Sequence, residues 1–428
     1  MNKIKLKGLN ETVVHEVLDN GLNVYVLRKK EFNAFSCYFI TNFGALVDKF
    51  IPINEDEMIK FPKGIAHFLE HKMFEQEKGE TVTQKFSSLG GSCNAFTNYD
   101  YTTYYVTGVD NFYENLNFLI DYVQSPYFTD DNVKKEQGII NQERLMINDN
   151  PYRIFYMKSL ENIFVNYGYG KTIVGDEKDI YSITKEDLYR CYNTFYNPSN
   201  MSLLVVSNNK EEDVINSVKK NQEGKKFDRL GNIKIDEVIE PENVKKEYDV
   251  IYDNVIKTQI SYAIKIKADK FLIDIDKALL YIYILIKSNF GEISKFNLDL
   301  KQKNIIDDNI QLGVSMYGDY IIINLNVSSD NEDKIIELFN KKFNDLNILE
   351  EDFNLIKKSM ISKFVCYFMS VGSIMDYLYN DYFDNKKITG DTFIKYKELI
   401  FDEFKMVVEK FNINNKSITI MKPLKEKE

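Results

Sequence analysis

Apolar and polar residues run along this chain at two periods, and the switches between them mark out its elements. Residues 13–18 and 22–27 read as strands joined by Asp19-Asn20-Gly21, because Asn-Gly supplies the positive φ angles of a tight hairpin turn. Residues 34–41 are rich in aromatic and β-favouring types and predict a further strand, as do 101–106 and 201–206. Helical spacing takes over at 111–124, where Phe112, Leu116, Leu119, Ile120 and Val123 form one stripe that stops before Pro126. Thr129-Asp130-Asp131 then offers an N-cap and first-turn acids for a helix running to about Asn148. Residues 174–183 read as loop, and Thr184 opens another capped helix before Asn197-Pro198-Ser199-Asn200 turns into the strand at Met201.

Residues 208–246 are polar, and Gly231 and Pro241 interrupt them, which places a linker at 223–244 between a domain at 1–222 and a second at 245–428. The second half repeats the plan of the first in weak form. Phe195-Tyr196-Asn197 before the strand near Ser202 is echoed about 215 residues later by Phe411-Asn412 before the strand at Ser417. The expected fold is α+β: two duplicated units, each an antiparallel sheet with helices packed on it. An apolar helix at 278–286 and a strand at 320–327 read as core of the second unit.

A chain of 428 residues is too long for one simple core, which fits two domains. Its net charge of -10 argues against nucleic acid, since phosphate-binding surfaces concentrate basic residues. Cys37, Cys93, Cys191 and Cys366 are scattered, so neither a disulfide framework nor a thiolate metal site is indicated. No signal peptide is visible at the start, and the longest apolar run, nine residues at 278–286, is far short of the ~20 a membrane span needs. A cytoplasmic location is expected.

Against this background the histidines stand out. There are only three, and two of them, His67 and His71, lie in Gly64-Ile65-Ala66-His67-Phe68-Leu69-Glu70-His71, while His15 stands apart. Four residues apart on a helix, they project from one face one turn apart. With Glu70 they spell His-x-x-Glu-His, the reverse of the His-Glu-x-x-His zinc peptidase helix. Zinc held by two imidazoles and a carboxylate keeps one position open for water, lowers that water's pKa towards about 7, and leaves a nearby Glu to take the proton. The competing reading, solvated histidines on an ordinary helix, suits a lone histidine better than this pair, whose chance occurrence has odds on the order of 10⁻³.

A third ligand is available on the helix after Thr129. Glu136 and Glu143 are seven apart, within ~20° of the same face, and spacing alone does not choose between them. Residues 90–97 read two ways: a hairpin arm packed on a helix, or an edge strand beside the metal that takes an extended peptide as an added strand.

Gly64 to His71, then Asn94-Ala95-Phe96-Thr97, then Glu136 to Glu143, then Tyr192 to Asn200 resemble the insulinase/pitrilysin family of zinc metallopeptidases, the inverzincins. His71-Lys72-Met73-Phe74-Glu75 and Phe195-Tyr196-Asn197-Pro198-Ser199-Asn200-Met201 look most like its bacterial YmfH-like branch. The likeness spans the chain and is most specific in the first half. It implies a metallopeptidase roll in which His67, His71 and Glu143 bind Zn2+, Glu70 is the general base, Glu136 orients a ligand histidine, and Asn94, Ala95 and Phe96 lie on the substrate strand. In the family two such two-unit chains close a chamber, so the implied activity is a zinc endopeptidase or oligopeptidase on short or unfolded peptides, with leader or signalling peptides as candidates. The alternative is a subunit that keeps its zinc but serves as scaffold or peptide-binding partner.

One departure bears on partners. Family members that cleave use an arginine and a tyrosine from a C-terminal half to hold the substrate backbone and oxyanion. Here no arginine follows Arg229 and no tyrosine lies between Tyr283 and Tyr317; the matching stretch, residues 300–307, offers Lys301, which lacks arginine's bidentate fork. The expected active species is therefore a heterodimer with a related, metal-free peptidase-like chain, with a homodimer as the alternative.

Overall fold

The computed structural model of the chain describes residues 1–77, 81–227, 230–347 and 349–424. Arg229, and with it part of the expected linker, lies outside them. The described chain divides into two compact units. The first comprises Met1–Leu145, Thr172–Glu237 and Phe364–Phe393, and the second Met146–Lys171, Val238–Lys363 and Ile394–Glu428.

The strands of the first unit are β1 (Asn2–Leu6), β2 (Glu11–Val17), β3 (Asn23–Arg28), β4 (Phe35–Thr41), the two-residue β5 (Lys49–Phe50) and β6 (Ile59–Lys60), β7 (Gly91–Thr97), β8 (Thr102–Gly108) and β9 (Met201–Ser207). Those of the second are β10 (Tyr248–Asp253), β11 (Gln259–Lys267), β12 (Gln311–Tyr317), β13 (Tyr320–Ser328) and β14 (Lys416–Pro423). The large sheets run β1-β2-β3-β9-β4-β8-β7 and β10-β14-β11-β13-β12. Within each, one pair is parallel, β3 with β9 and β10 with β14, and all others are antiparallel. Laid over each other, β3-β9-β4-β8-β7 and β10-β14-β11-β13-β12 have the same order and the same directions. The duplication is thus written in the topology, and β1 and β2 extend only the first sheet.

In the first unit the helices Phe112–Val123 and Glu211–Gln222 pack together on one face of the sheet, which Phe35, Cys37 and Phe39 line from β4. In the second, Ile275–Phe290 buries Tyr281, Ile282, Leu285 and Ile286 in a core with Ile260, Tyr262 and Ile264 of β11.

The units are not the contiguous halves of the sequence expectation. Residues 146–171 belong with the second unit and 364–393 with the first. The reason is packing: each sheet has a second face that needs covering. The helix Pro151–Ile163 covers it in the second unit, with Asn162 donating to Thr419 Oγ1 of β14 at 2.9 Å. Val371–Asn385 covers it in the first, with Tyr382 accepting from Ser202 of β9 at 3.0 Å and Tyr379 set edge-on to Tyr38 of β4.

Two local readings differ from the structure, and one strand has no counterpart in the sequence reading. Residues 174–183 contain a helix, Glu177–Ser182, with Glu177 and Asp179 in its first turn. β1 was not foreseen, although Ile4 and Leu6 alternate with Lys3 and Lys5 in it. In the β2–β3 hairpin only Gly21 takes a positive φ, 89°. Its N–H returns to the Leu18 carbonyl at 2.8 Å, the pattern of a turn followed by a left-handed residue.

Candidate metal centre

The helix Ile65–Met73 starts where Gly64 turns at φ 82°; a Cβ there would lie 2.3 Å from the Val174 carbonyl oxygen, so the entry needs glycine. The helix lies against β7 and β8 and buries nearly all of its residues, including His67 and Glu70. His67 and His71, one turn apart, have ring centroids 4.5 Å apart. Across from them stands the helix Asp130–Asn148, which carries both Glu136 and Glu143.

The two carboxylates take different sides of the histidines, which spacing could not decide. Glu136 Oε1 lies 3.0 Å from His71 Nδ1. Glu143 faces the other nitrogens, its Oε1 3.6 Å from His67 Nε2 and its Oε2 3.4 Å from His71 Nε2. Among the described residues, one group offers metal-ligand atoms converging on a point: His67, His71 and Glu143, all within 4.8 Å of one another. Ligand atoms bound tetrahedrally to zinc at about 2.1 Å are about 3.4 Å apart, so the observed nitrogen–oxygen separations fit such an ion.

Electrostatics follows the geometry. Burial pulls the His71 imidazole down, but Glu136 and Glu143 outweigh it and push it up to about 10, so an incoming metal displaces a proton there. Burial pushes Glu136 up, yet its bond to His71 holds it below the usual carboxylate range. Glu70 is raised, chiefly by burial, with Thr97 and His71 opposing. The wall behind it is aromatic: Tyr104, Tyr122 and Phe74 lie within 6.4 Å of one another, and the Tyr104 hydroxyl meets that of Tyr196 at 2.7 Å.

Thr97 is the residue that sequence reasoning missed here. Its Oγ1 donates to Glu70 Oε2 at 2.6 Å and lies 3.3 Å from the Thr102 hydroxyl, which itself donates to the Phe43 carbonyl. It sat in the quoted Asn94-Ala95-Phe96-Thr97 run, but nothing in the spacing tied it to Glu70. β7 is an edge strand of the sheet. Ala95 shares its face with Thr97, whereas Phe96 turns to the other face, edge-on to Tyr379 at 5.6 Å. The Ala95 N–H is held by the Asn94 side-chain oxygen at 2.9 Å. Elsewhere, His15 Nε2 meets Asn23 Oδ1 at 3.0 Å while its ring stacks on Tyr25, which accounts for it as a packed strand residue.

A family profile described as Insulinase (Peptidase family M16) matches residues 59–177, and one described as Peptidase M16 inactive domain matches 182–360. A curated relative from Bacillus subtilis, the uncharacterized zinc protease YmfH, is 40% identical over 306 residues, 71% of each chain. The chain belongs to the insulinase family of zinc metallopeptidases. Within that family it falls in the YmfH-like branch. An M16 relative from Arabidopsis thaliana, the probable mitochondrial-processing peptidase subunit beta, is 31% identical over 161 residues, 37% of this chain and 30% of that one. Among solved structures, a putative M16-like peptidase from Alicyclobacillus acidocaldarius superposes with TM-score 0.88 over 97% of this chain and 99% of its own, at 24% identity, which speaks for the fold alone. Among the described residues no helix is long and apolar enough to cross a membrane.

Proposed function

We propose that this M16 chain is a zinc-dependent peptidase for short or unfolded peptides, with His67, His71 and Glu143 as the metal ligands. The convergence of those three donors within 4.8 Å carries the reading. Zinc in a site of two histidines and a carboxylate supplies Lewis acidity and acidifies water at neutral pH. Glu70 takes the proton from the attacking water and passes it to the leaving amine; its burial raises its pKa towards that task, and Thr97 holds one of its oxygens so that the other faces the reaction. Glu136 fixes the His71 ring through Nδ1, as carboxylate partners of ligand histidines do. A peptide adds to the free edge of β7 at Asn94, Ala95 and Phe96 once the Asn94 side chain releases the Ala95 N–H.

The reading extends to a cytoplasmic enzyme of two subunits, in which a related chain without the metal motif supplies the arginine and tyrosine. The support is compositional, since no arginine follows Arg229, and Lys301 is engaged with Asn309 Oδ1 at 3.3 Å. That same lack favours a second reading, in which the zinc is kept but the chain mainly binds peptide or scaffolds its partner.

The experiment is turnover of a quenched-fluorescent peptide library by the chain alone and by the chain co-expressed with such a relative. We expect about one zinc per chain, weak cleavage alone, and strong cleavage by the pair that a chelator abolishes and zinc restores. His67→Ala should lose the metal; a folded His67→Ala protein with stoichiometric zinc defeats the ligand assignment. Full activity of the lone chain, unmoved by Lys301→Ala, defeats the two-subunit reading.

A further inference from the structure

In the run His71-Lys72-Met73-Phe74-Glu75 the proposed chemistry uses only the first residue. Lys72 is fully buried, an environment an ammonium tolerates only when paired. Its Nζ bonds the Glu75 carboxylate one turn on, donates to the main-chain carbonyl of Asn132 at 3.3 Å, and lies 3.9 Å from Glu136 Oε2. Asn132 and Glu136 are one turn apart, so Lys72 grips the facing helix at the turn that carries Glu136. Glu136 meets His71 through its other oxygen, Oε1, at 3.0 Å. A single carboxylate is therefore held between an ammonium on one oxygen and an imidazole on the other.

We propose that Lys72 is a positioning residue for the metal centre: balanced by Glu75, its ammonium locks Glu136 onto His71 Nδ1 and so keeps His71 Nε2 aimed at the point shared with His67 and Glu143. Without it, Glu136 loses the ammonium beside its Oε2. The effect on the metal passes through Glu136, which separates positioning from a plain ion pair between helices. This inference rests on the zinc reading above, and its test therefore has an arm that needs no zinc.

The test is a double-mutant cycle on the purified full chain, with Lys72→Met, Glu136→Gln and the two combined. Zinc affinity is read by competition with a chromophoric chelator, and folding by circular dichroism and melting in EDTA. Lys72→Met should weaken zinc binding about tenfold, in line with loss of a residue behind a ligand. In the Glu136→Gln background the same change should alter affinity less than twofold, and in EDTA the melting-temperature losses of the single variants should not add. A folded Lys72→Met chain with unchanged zinc affinity overturns the assignment, as does an equal loss in both backgrounds. If Lys72→Met does not fold, Glu75→Gln, at a part-exposed position, takes its place. It should shift zinc affinity threefold or more only while Glu136 is present; no shift, or a shift that persists with Glu136→Gln, overturns the proposal. A wild-type chain without zinc defeats the metal reading, while the melting cycle in EDTA still decides whether Lys72 and Glu136 act as one unit.

Discussion

The two units share strand order and strand directions, yet they treat buried charge in opposite ways. In the second unit Glu240 and Lys265 have fully buried side chains, 2.5 Å apart. Glu240 also accepts from the main-chain N–H groups of Val165, Asn166 and Tyr167, and Lys265 also donates to the carbonyls of Pro241 and Asn243. One acid meets one base, and both are satisfied within the unit. In the first unit Glu70, Glu75, Glu136 and Glu143 gather, buried or part-buried, around two histidines, with Lys72 buried among them. Here the acids outnumber the bases, and His67, His71 and Glu143 bring their donor atoms within 4.8 Å of one another, an arrangement that suits a metal ion. Duplication has preserved the scaffold, and among the described residues the one group whose donors converge as metal ligands, His67, His71 and Glu143, lies in the first unit.

The comparison breaks most visibly at Glu70. Glu70→Gln leaves the shape and the metal ligands in place but removes the base, and loss of a positioned general base costs about 10²–10⁴ in rate or more. We expect zinc content to be unchanged while turnover by the active species falls by that factor. Near-normal turnover would take Glu70 out of the mechanism.

In the second unit the largest effect should be on stability, not on catalysis. Lys265→Met leaves Glu240 buried without its cation, a change that costs about 3–5 kcal/mol. Urea denaturation should register it, with zinc content unaffected. The pair also predicts a pH dependence. Burial pushes Glu240 up, but Lys265 and the three N–H groups outweigh it and hold its carboxyl below the usual value of 4.5. A group lowered in the folded state stabilises above its unfolded pKa, so this contribution is complete above about 4.5 and drains away as pH falls through the lowered folded value. Lys265→Met should reduce that acid-side loss, since only the three N–H groups would remain to lower Glu240, and an unchanged acid limb would show that the pair does not set it.

What the sequence carried and what it hid divide along the same physical line. The histidine helix and the Asp130–Asn148 helix were legible because each rests on local spacing, caps or turn residues, whereas the edge position of β7 stayed one of two readings, since sheet order is not a local property. The two exchanged segments were not, because whether Pro151–Ile163 covers one sheet or the other depends on faces that form only after folding. The five residues of β1 are too few for a period-two signal to rise above a lysine-rich start. Thr97 and Lys72 escaped for another reason: each reaches a carboxylate on a different element, and no one-dimensional pattern encodes that.

The choice between Glu136 and Glu143 is the plainest case of such a hidden decision, and it can be tested directly. Both point the same way from one helix, but only Glu143 faces the Nε2 atoms of both histidines. Glu143→Gln should therefore weaken zinc more than Glu136→Gln, for which a loss of about 10–100-fold is expected. Measured zinc affinities in the reverse order would mean the two carboxylates have exchanged roles.

The smallest effect we expect lies at the tip of the β7–β8 hairpin, where the units differ in the last facing pair of the ladder as well as in the length of the turn. In the second sheet the last facing pair is Tyr317 and Tyr320; in the first it is Thr97 and Thr102. Threonine is short enough there to put a hydroxyl on Glu70 Oε2 at 2.6 Å, while Thr102 gives its own proton to the Phe43 carbonyl and so leaves Thr97 as the donor to Glu70. Thr97→Val keeps the shape and removes that donor. A hydrogen bond to a charged group is worth about 1.5 kcal/mol at the low end, which corresponds to about tenfold. The drop should appear in kcat with KM and zinc affinity unchanged, because Glu70 acts on the proton and touches neither the peptide backbone nor the metal. Thr97→Ser, which keeps the hydroxyl, should recover most of the rate. If the valine variant turns over normally, the Thr97 hydroxyl is not needed to orient Glu70, which its helix and the Thr97 main chain then hold; if it loses zinc, Thr97 supports the metal and not the base.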